Sequence, residues 1–370
     1  VTETPDSLGE LPTAECAGND IRVFVEGDVL FDAMLADFAA AQRSVWLESY
    51  ILSDDAVGRA FMDVLAECSR RGLDVRVRVD ALGSWLGFSG RSARCLKASG
   101  VRFVWSRVWQ WRRPWLFHRR NHRKLAVVDD RVAYLGGFNI TALNSRRVCG
   151  EARWRDTHVR ISGPLAGVAR RAFESFRTGD LSWQSEGNRH GMALLTNRAR
   201  SSRHRLHSWL QERCDAARER VWLTTPYFVP DSATQRALCR AARDGVDVRV
   251  LVPGKSDVPL VQWAARAAYS RLLAAGIRIH EYQPRVLHAK TLVVDEEWST
   301  VGTANFDYRS LFINFELNLA AECRSLNAIL ASQFEQDLQE SIEVRKEPWS
   351  RRPWIARVAE FVGWSARRWL

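Results

Sequence analysis

The pattern of hydrophobic and polar positions divides the chain into two passages that read alike. In the first, Ile21 to Val25 alternates as a strand and Leu30 to Ala41 carries apolar residues at the spacing of an amphipathic helix. Ser44 to Leu52 (SVWLESYIL) is an apolar run of strand length, and the helix predicted over Val57 to Arg71 closes at Gly72. A strand over Val75 to Val79, a helix near Ser92 to Ser99 closed by Gly100, and a strand over Val101 to Trp105 complete the unit.

The second passage repeats it. RVWLTTPYFV from Arg220 answers SVWLESYIL, GVDVRVLV from Gly245 answers GLDVRVRV from Gly72, and AAGIRIHEY from Ala274 answers KASGVRFVW. Trp46 and Trp222 stand 176 residues apart, as do Gly100 and Gly276. Two copies of a strand-helix-strand unit indicate duplication, whereas a solenoid needs more repeats of shorter period. The predicted class is α/β, with a mostly parallel sheet flanked by helices in each half. The predicted organisation is a loose arm over 1–20, a first half over 21–177, a polar linker over 178–202, a second half over 203–345 and a basic tail over 346–370.

Composition narrows the partners. At 370 residues and 46% hydrophobic, the chain has material for substantial cores, which excludes disordered and fibrous classes. A net charge of +11 favours anionic partners: phospholipid head groups, nucleic acid or a phosphorylated metabolite. Seven scattered cysteines without a CxxC pair read as reduced, buried thiols of a cytoplasmic protein. No run of about 18 or more apolar residues occurs, and VTETPDSLGE lacks the basic and apolar parts of a signal peptide, so the chain as given is not expected to span a membrane. It begins with Val, which leaves upstream residues open.

The chemistry lies in a doubled motif. His122 to Asn139 reads HRKLAVVDDRVAYLGGFN and His288 to Asn305 reads HAKTLVVDEEWSTVGTAN. Both contain H-x-K-x4-D, as His122, Lys124, Asp129 and as His288, Lys290, Asp295, then a glycine and an asparagine, all at an offset of 166. Only five lysines occur in the chain, yet two follow a histidine by two residues. Lysine neutralises a phosphate oxygen, and a neutral imidazole attacks phosphorus or moves a proton near pH 7. Alternation along a strand puts His and Lys on one face. A lysine between the candidate ligands would repel a cation, so no metal is expected.

The doubled H-x-K-x4-D with its trailing G-(G/S/T)-x-N resembles the signature of the phospholipase D superfamily. The flanks WRDTHVRISGP from Trp154 and GTANFDYRSLFINFE from Gly302 are most similar to those of bacterial cardiolipin synthases. The resemblance covers roughly residues 20 to 345. It implies that the halves pack with pseudo-twofold symmetry so that both H-x-K strands meet at one cleft, one histidine facing the other across a single phosphate. It also implies that Asp129 and Asp295 hold the motif rather than transfer protons. Asn139 and Asn305, with Gly137 and Thr303, are read as phosphate-binding. Glu48, Asp156 and Glu316 are carboxylates that either support the site or pair structurally; His118 and His280 read as surface or core histidines.

The repeat offset falls from 176 to 166 before His122, so the first half carries ten extra residues. They fall in Trp105 to Arg120 (WSRVWQWRRPWLFHRR), where Trp109, Trp111 and Trp115 interleave with arginines. Trp and Arg together suit a lipid interface, the rings lying at head-group depth and the guanidinium groups pairing with phosphates. The alternatives are Trp as ordinary core, or stacking on single-stranded nucleic acid. The tail has the same character: Trp354, Phe361 and Trp369 fall largely on one helical face, with arginines around it, either lying in a membrane surface or docked on the enzyme.

The expected activity is phosphatidyl transfer between two phosphatidylglycerol molecules through a phosphatidyl-histidine, giving cardiolipin and glycerol with no cofactor. The expected partners are anionic phospholipid and the membrane surface, not nucleic acid, at the cytoplasmic face of a bacterial inner membrane. A nuclease or phosphodiesterase of the same superfamily would share the doubled motif but would not need the Trp-rich insertion or the tail.

Overall fold

The structure, a computed structural model, describes residues 11–109, 111–112, 117–178, 191–197 and 200–366. The first half opens with β1 (Thr13–Cys16), β2 (Asn19–Phe24), α1 (Gly27–Ala40) and β3 (Ser44–Ser49). Next come α2 (Ala56–Arg70), β4 (Asp74–Asp80), α3 (Gly90–Ala98) and β5 (Arg102–Ser106). It closes with β6 (Leu125–Val128), β7 (Val132–Gly136), α4 (Arg146–Cys149), β8 (His158–Ser162) and α5 (Pro164–Thr178).

The second half contains β9 (Met192–Thr196), α6 (Arg200–Ala216), β10 (Arg220–Thr224), β11 (Phe228–Val229), α7 (Ser232–Arg243) and β12 (Asp247–Pro253). After these lie α8 (Pro259–Ala274), β13 (Arg278–Tyr282), β14 (Thr291–Val294), β15 (Trp298–Gly302) and β16 (Phe306–Asp307). The chain continues through α9 (Tyr308–Phe312), β17 (Leu317–Glu322), α10 (Arg324–Gln339), β18 (Ser341–Glu343), α11 (Lys346–Ser350) and α12 (Trp354–Ala366).

Each half builds one eight-stranded sheet, in the orders β1-β2-β8-β7-β6-β3-β4-β5 and β18-β13-β12-β10-β14-β15-β17-β9. The sheets are not mostly parallel. Within them only β3-β4-β5 and β10-β12-β13 pair in parallel, and the short β11 and β16 form a separate parallel pair. The other five pairings of each sheet are antiparallel. Parallel neighbours need a long crossover, here α2, α3, α7 and α8, whereas β6-β7 and β14-β15 are joined by tight turns that force antiparallel pairing. Asp129, Asp130 and Asp295 adopt the positive φ that such turns require (52°, 63° and 49°).

Alternation along the strands divides the core. One face of the first sheet, with Val45, Leu47, Ala126 and Val128, packs under α1, α2 and α3. The other, with Trp46, Leu125 and Val127, joins α5, α10 and the inner face of the second sheet (Trp222, Val293, Leu317, Leu319) in one shared core. A third cluster lies beneath α6, α7 and α8. The halves are thus welded through apolar surface, which fixes the cleft between them.

Three expectations need correction. Residues 13–20 of the supposed arm form a hairpin, β1-β2, at the sheet edge. Part of the supposed linker is β9, which pairs with β17, while 179–190 and 198–199 lie outside the described residues. The cysteines are not all reduced, since Cys16 of β1 and Cys323 at the start of α10 form a disulfide across 307 residues of sequence. Their separation hid the pair; packing of β1 against α10 creates it. Cys68, Cys95, Cys149, Cys214 and Cys239 are free.

Candidate active site

Each catalytic-type histidine is suspended between the halves. His122 and Lys124 lie just before β6, and the backbone there bridges to the second half: His122 N donates to Phe315 O at 3.0 Å and Phe315 N to Arg120 O at 2.9 Å. His288 and Lys290 lie just before β14, where His288 N donates to Arg155 O at 2.7 Å and Arg155 N to Val286 O at 2.9 Å. The same exchange continues in the side chains. Glu316 places its oxygens 3.0 and 3.1 Å from Nδ1 of His122, and Asp156 places Oδ2 at 2.5 Å from Nδ1 of His288. A carboxylate on Nδ1 fixes the tautomer with its proton there, leaving the Nε2 lone pair for chemistry.

These carboxylates are themselves held. Thr303 Oγ1 donates to Glu316 Oε2 at 2.5 Å, and Glu316 N donates to Asn197 Oδ1 at 2.9 Å. Asp156 Oδ1 accepts from Thr157 N at 2.7 Å. Gly137 lies against this carboxylate so closely that an added Cβ would stand 1.9 Å from Oδ1. Gly137 and Thr303 therefore serve the carboxylates in the structure.

Both lysines are buried. Lys124 Nζ donates to His122 O at 3.0 Å; Lys290 Nζ donates to His288 O and lies 2.8 and 3.1 Å from the two ring nitrogens of His288. Burial disfavours charge, and the two ammonium groups repel across the cleft. Together these effects bring Lys124 down to about 7, while burial opposed by Asp156 and Glu316 leaves Lys290 at about 8. Burial, aided by the lysines and opposed by the carboxylates, also lowers His122 and His288, which favours the neutral imidazole at both. Burial alone would push Asp156 up, but Lys290 and His288 hold it below the usual carboxylate range.

The other predicted residues occupy distinct places. Asp129 accepts the backbone N–H groups of Gln42, Arg43 and Ser44, at 2.8 Å each. Asp295 accepts those of Arg218, Glu219 and Arg220 at 2.8 to 3.1 Å. Both stand at the far ends of β6 and β14, away from the histidines. Asn139 is buried with Oδ1 accepting from Ile51 N at 3.2 Å. Asn305 is buried with an Oδ1 that has no hydrogen-bond partner among the described residues. Glu48 does not reach either histidine. It takes Arg123 at 2.9 Å, Arg78 at 3.2 Å and Asn121 Nδ2 at 2.5 Å, and so braces the chain on both sides of His122. Trp109, Trp111, Trp354 and Phe361 are exposed, while Trp115 and Trp369 lie outside the described residues.

Sequence reasoning missed three groups. The Tyr50 ring lies 4.9 Å from that of His122. Buried Arg120 pairs with Asp80 at 2.7 and 3.0 Å, and Asp80 also accepts Asn121 N at 2.8 Å. Asp307, pushed up to about 7 by burial with Glu316 nearby, caps α9 through Ser310 N at 2.6 Å. The available signal was position: Tyr50 and Asp80 stand at the carboxyl ends of β3 and β4, where open α/β sheets place their ligands.

Two equivalent α/β halves that bring paired H-x-K motifs to one cleft, each histidine held by the opposite half's carboxylate, define a phospholipase D-like enzyme. The family model described as "Cardiolipin synthase, PLD-like domain" matches residues 34–169 and 210–338. The chain belongs to this cardiolipin synthase family. It is 30% identical to cardiolipin synthase of Clostridium perfringens over 370 residues, 93% of this chain and 75% of that protein. It is also 30% identical to cardiolipin synthase A of Escherichia coli, over 93% of this chain and 74% of that one. In fold it is similar to phosphatidylserine synthase of Haemophilus influenzae, with a TM-score of 0.75 at 13% identity and 98% coverage of both chains.

Proposed function

We propose that the chain is a phosphatidyltransferase that condenses two phosphatidylglycerol molecules into cardiolipin and glycerol. The observation that carries this reading is the reciprocal holding of His122 by Glu316 and His288 by Asp156 in a chain of the cardiolipin synthase family.

His122 is the nucleophile in this mechanism. Its Nε2 has no hydrogen-bond partner among the described residues, whereas Lys290 crowds that of His288 at 3.1 Å. Nε2 of His122 attacks phosphorus, the bond to the glycerol oxygen breaks, and His288 gives that oxygen a proton, leaving phosphatidyl-His122. The negative phosphodiester raises the proton affinity of the His288–Lys290 pair on binding, so the substrate helps load the proton it consumes. His288 then takes the proton of the primary hydroxyl of a second phosphatidylglycerol, whose oxygen displaces His122. Lys124, Lys290 and the amide nitrogens of Asn139 and Asn305 hold the non-bridging oxygens, so positive charge comes from side chains. Glu316 stabilises the cationic character of His122 in the adduct.

The substrate resides in a bilayer, so the protein is assigned to the membrane surface, on the cytoplasmic face of a bacterial inner membrane. Among the described residues no helix is long and apolar enough to cross a membrane. Purified protein incubated with phosphatidylglycerol vesicles should yield cardiolipin and glycerol in equal amounts. Phosphatidic acid instead would indicate hydrolysis and overturn the transferase reading. Protease protection in inner-membrane vesicles of known orientation tests the face.

A further inference from the structure

Helix α12 is packed inside out. An amphipathic helix ordinarily buries its large apolar residues. Here the side turned to the protein carries Ala356, Ala359, Glu360 and Gly363, with Glu360 ion-paired to Arg352 at 2.7 Å. A Cβ at Gly363 would stand 2.5 Å from Ala264 N, so α12 lies directly on α8. The outward side carries Trp354, Ile355, Val358, Phe361 and Val362, between 49% and 72% exposed. Trp263 of α8, beside Gly363, is 40% exposed.

The first half has a counterpart that its sequence did not reveal. The segment after β4 exposes Trp85 (73%), Leu86 (97%) and Leu82 (38%). Leu82 N and Gly83 N donate to Asp80 Oδ1 at 3.0 Å, and Ser84 Oγ donates to Tyr50 O at 3.1 Å. This segment therefore sits on the residue whose ring touches His122. β4 and β12 are equivalent strands, so the segment after β4 corresponds to the start of α8, where Trp364 of α12 packs in one cluster with Tyr227, Val261 and Ala264. The Trp364 end of α12 thus lies at the same end of the strands as the first patch, and from there its outer face runs along α8 toward Ser270, which Arg352 contacts at 3.4 Å.

Charge selects the occupant. From Ala81 to Val128 the chain holds eleven basic residues and no Asp or Glu, and among them Trp109 and Trp111 are also exposed. From Pro348 to Leu370 there is one acid, Glu360, already paired to Arg352. Arg102, Arg120 and Arg123 of the first stretch pair with Asp74, Asp80 and Glu48, and the exposed Arg91, Arg94, Lys97 and Arg112 remain beside the apolar rings, a combination that fits an anionic lipid surface.

We infer that the Leu82–Leu86 segment and the outer face of α12 form one two-footed docking surface for an anionic bilayer, holding the cleft mouth against the head groups. The choice of occupant rests on the phosphatidyltransferase reading.

The test uses the full chain with vesicles of phosphatidylglycerol and phosphatidylcholine in equal parts, read by co-sedimentation, alongside turnover on detergent-dispersed phosphatidylglycerol. Trp85→Ser/Leu86→Ser and Ile355→Ser/Val358→Ser should each weaken vesicle binding about tenfold or more and leave detergent turnover within about twofold. Ile342→Ser, an exposed apolar residue away from both patches (62%), serves as the control and should bind as the parent does. Parent-like binding by either double variant overturns the inference. So does a parent dimer that the Ile355→Ser/Val358→Ser variant dissociates while its vesicle binding persists, since the face would then belong to a second copy. Vesicle binding without cardiolipin formation in detergent would remove the activity reading and leave the docking surface standing.

Discussion

Glu316 is part of the second half, yet its carboxylate lies 3.0 Å from Nδ1 of His122 in the first. Asp156 returns the relationship to His288 at 2.5 Å. Neither half can orient its own histidine.

Glu316→Gln and Asp156→Asn should therefore each lower kcat by roughly 10²- to 10⁴-fold, the range of a positioned acid–base group, with a much smaller change in KM. A glutamine in place of Glu316 also removes the charge that raises the proton affinity of His122. Steady-state kinetics on detergent-dispersed lipid, with melting temperatures as a folding control, read the effect. Parent-like kcat in either variant would show the pairs to be structural only.

His122→Ala and His288→Ala should each abolish most turnover, and the double variant should be no worse than the single ones, because nucleophile and acid–base partner act as a unit. Acid-quenched mass spectrometry should find the phosphatidyl group on the peptide containing His122. Its appearance on His288 would reverse the assignment.

The lysines set the alkaline limb. A lysine with lowered pKa keeps its charge below that pKa and loses it as pH rises through it. With Lys124 at about 7 and Lys290 at about 8, kcat/KM should fall between about pH 7 and 8. The limb of kcat should lie higher, because bound phosphodiester stabilises both ammonium groups. A kcat/KM profile flat to pH 9 would contradict this.

Asp129 and Asp295 are expected to act on stability. Each accepts three backbone N–H groups at a strand turn, and hydrogen bonds to a charged acceptor contribute about 1.5–3 kcal/mol, less where solvent screens them. Asp129→Ala should lower stability by roughly 1–3 kcal/mol in denaturant titration while leaving the pH profile of kcat unchanged. A shifted profile would place Asp129 in the chemistry.

If Lys124 and Lys290 supply the positive charge, turnover should survive excess chelator. Loss of activity restored by one divalent ion would sink that assignment.

The sequence by itself determined the two-fold plan and pointed to the reactive set proposed here. Duplication is legible because equivalent positions keep one offset, and His122, Lys124, His288 and Lys290 because chemistry at a phosphate tolerates few residue types at that spacing. The strands and helices around Trp46, Gly72 and Gly100 are local matters of periodicity and capping, and they appear within three residues of their predicted ends.

Tertiary structure decided what depends on contacts distant in sequence. Antiparallel β6-β7-β8 follows from turns read as motif rather than hairpin. The Cys16–Cys323 bond needed β1 to meet α10. Glu48, Asp156 and Glu316 looked alike as carboxylates, and only packing gave the last two to histidines and Glu48 to Arg78 and Arg123. The outward face of α12 was equally undecidable, because a helical stripe of Trp, Ile, Val and Phe states that one side is apolar without stating which side the rest of the chain covers.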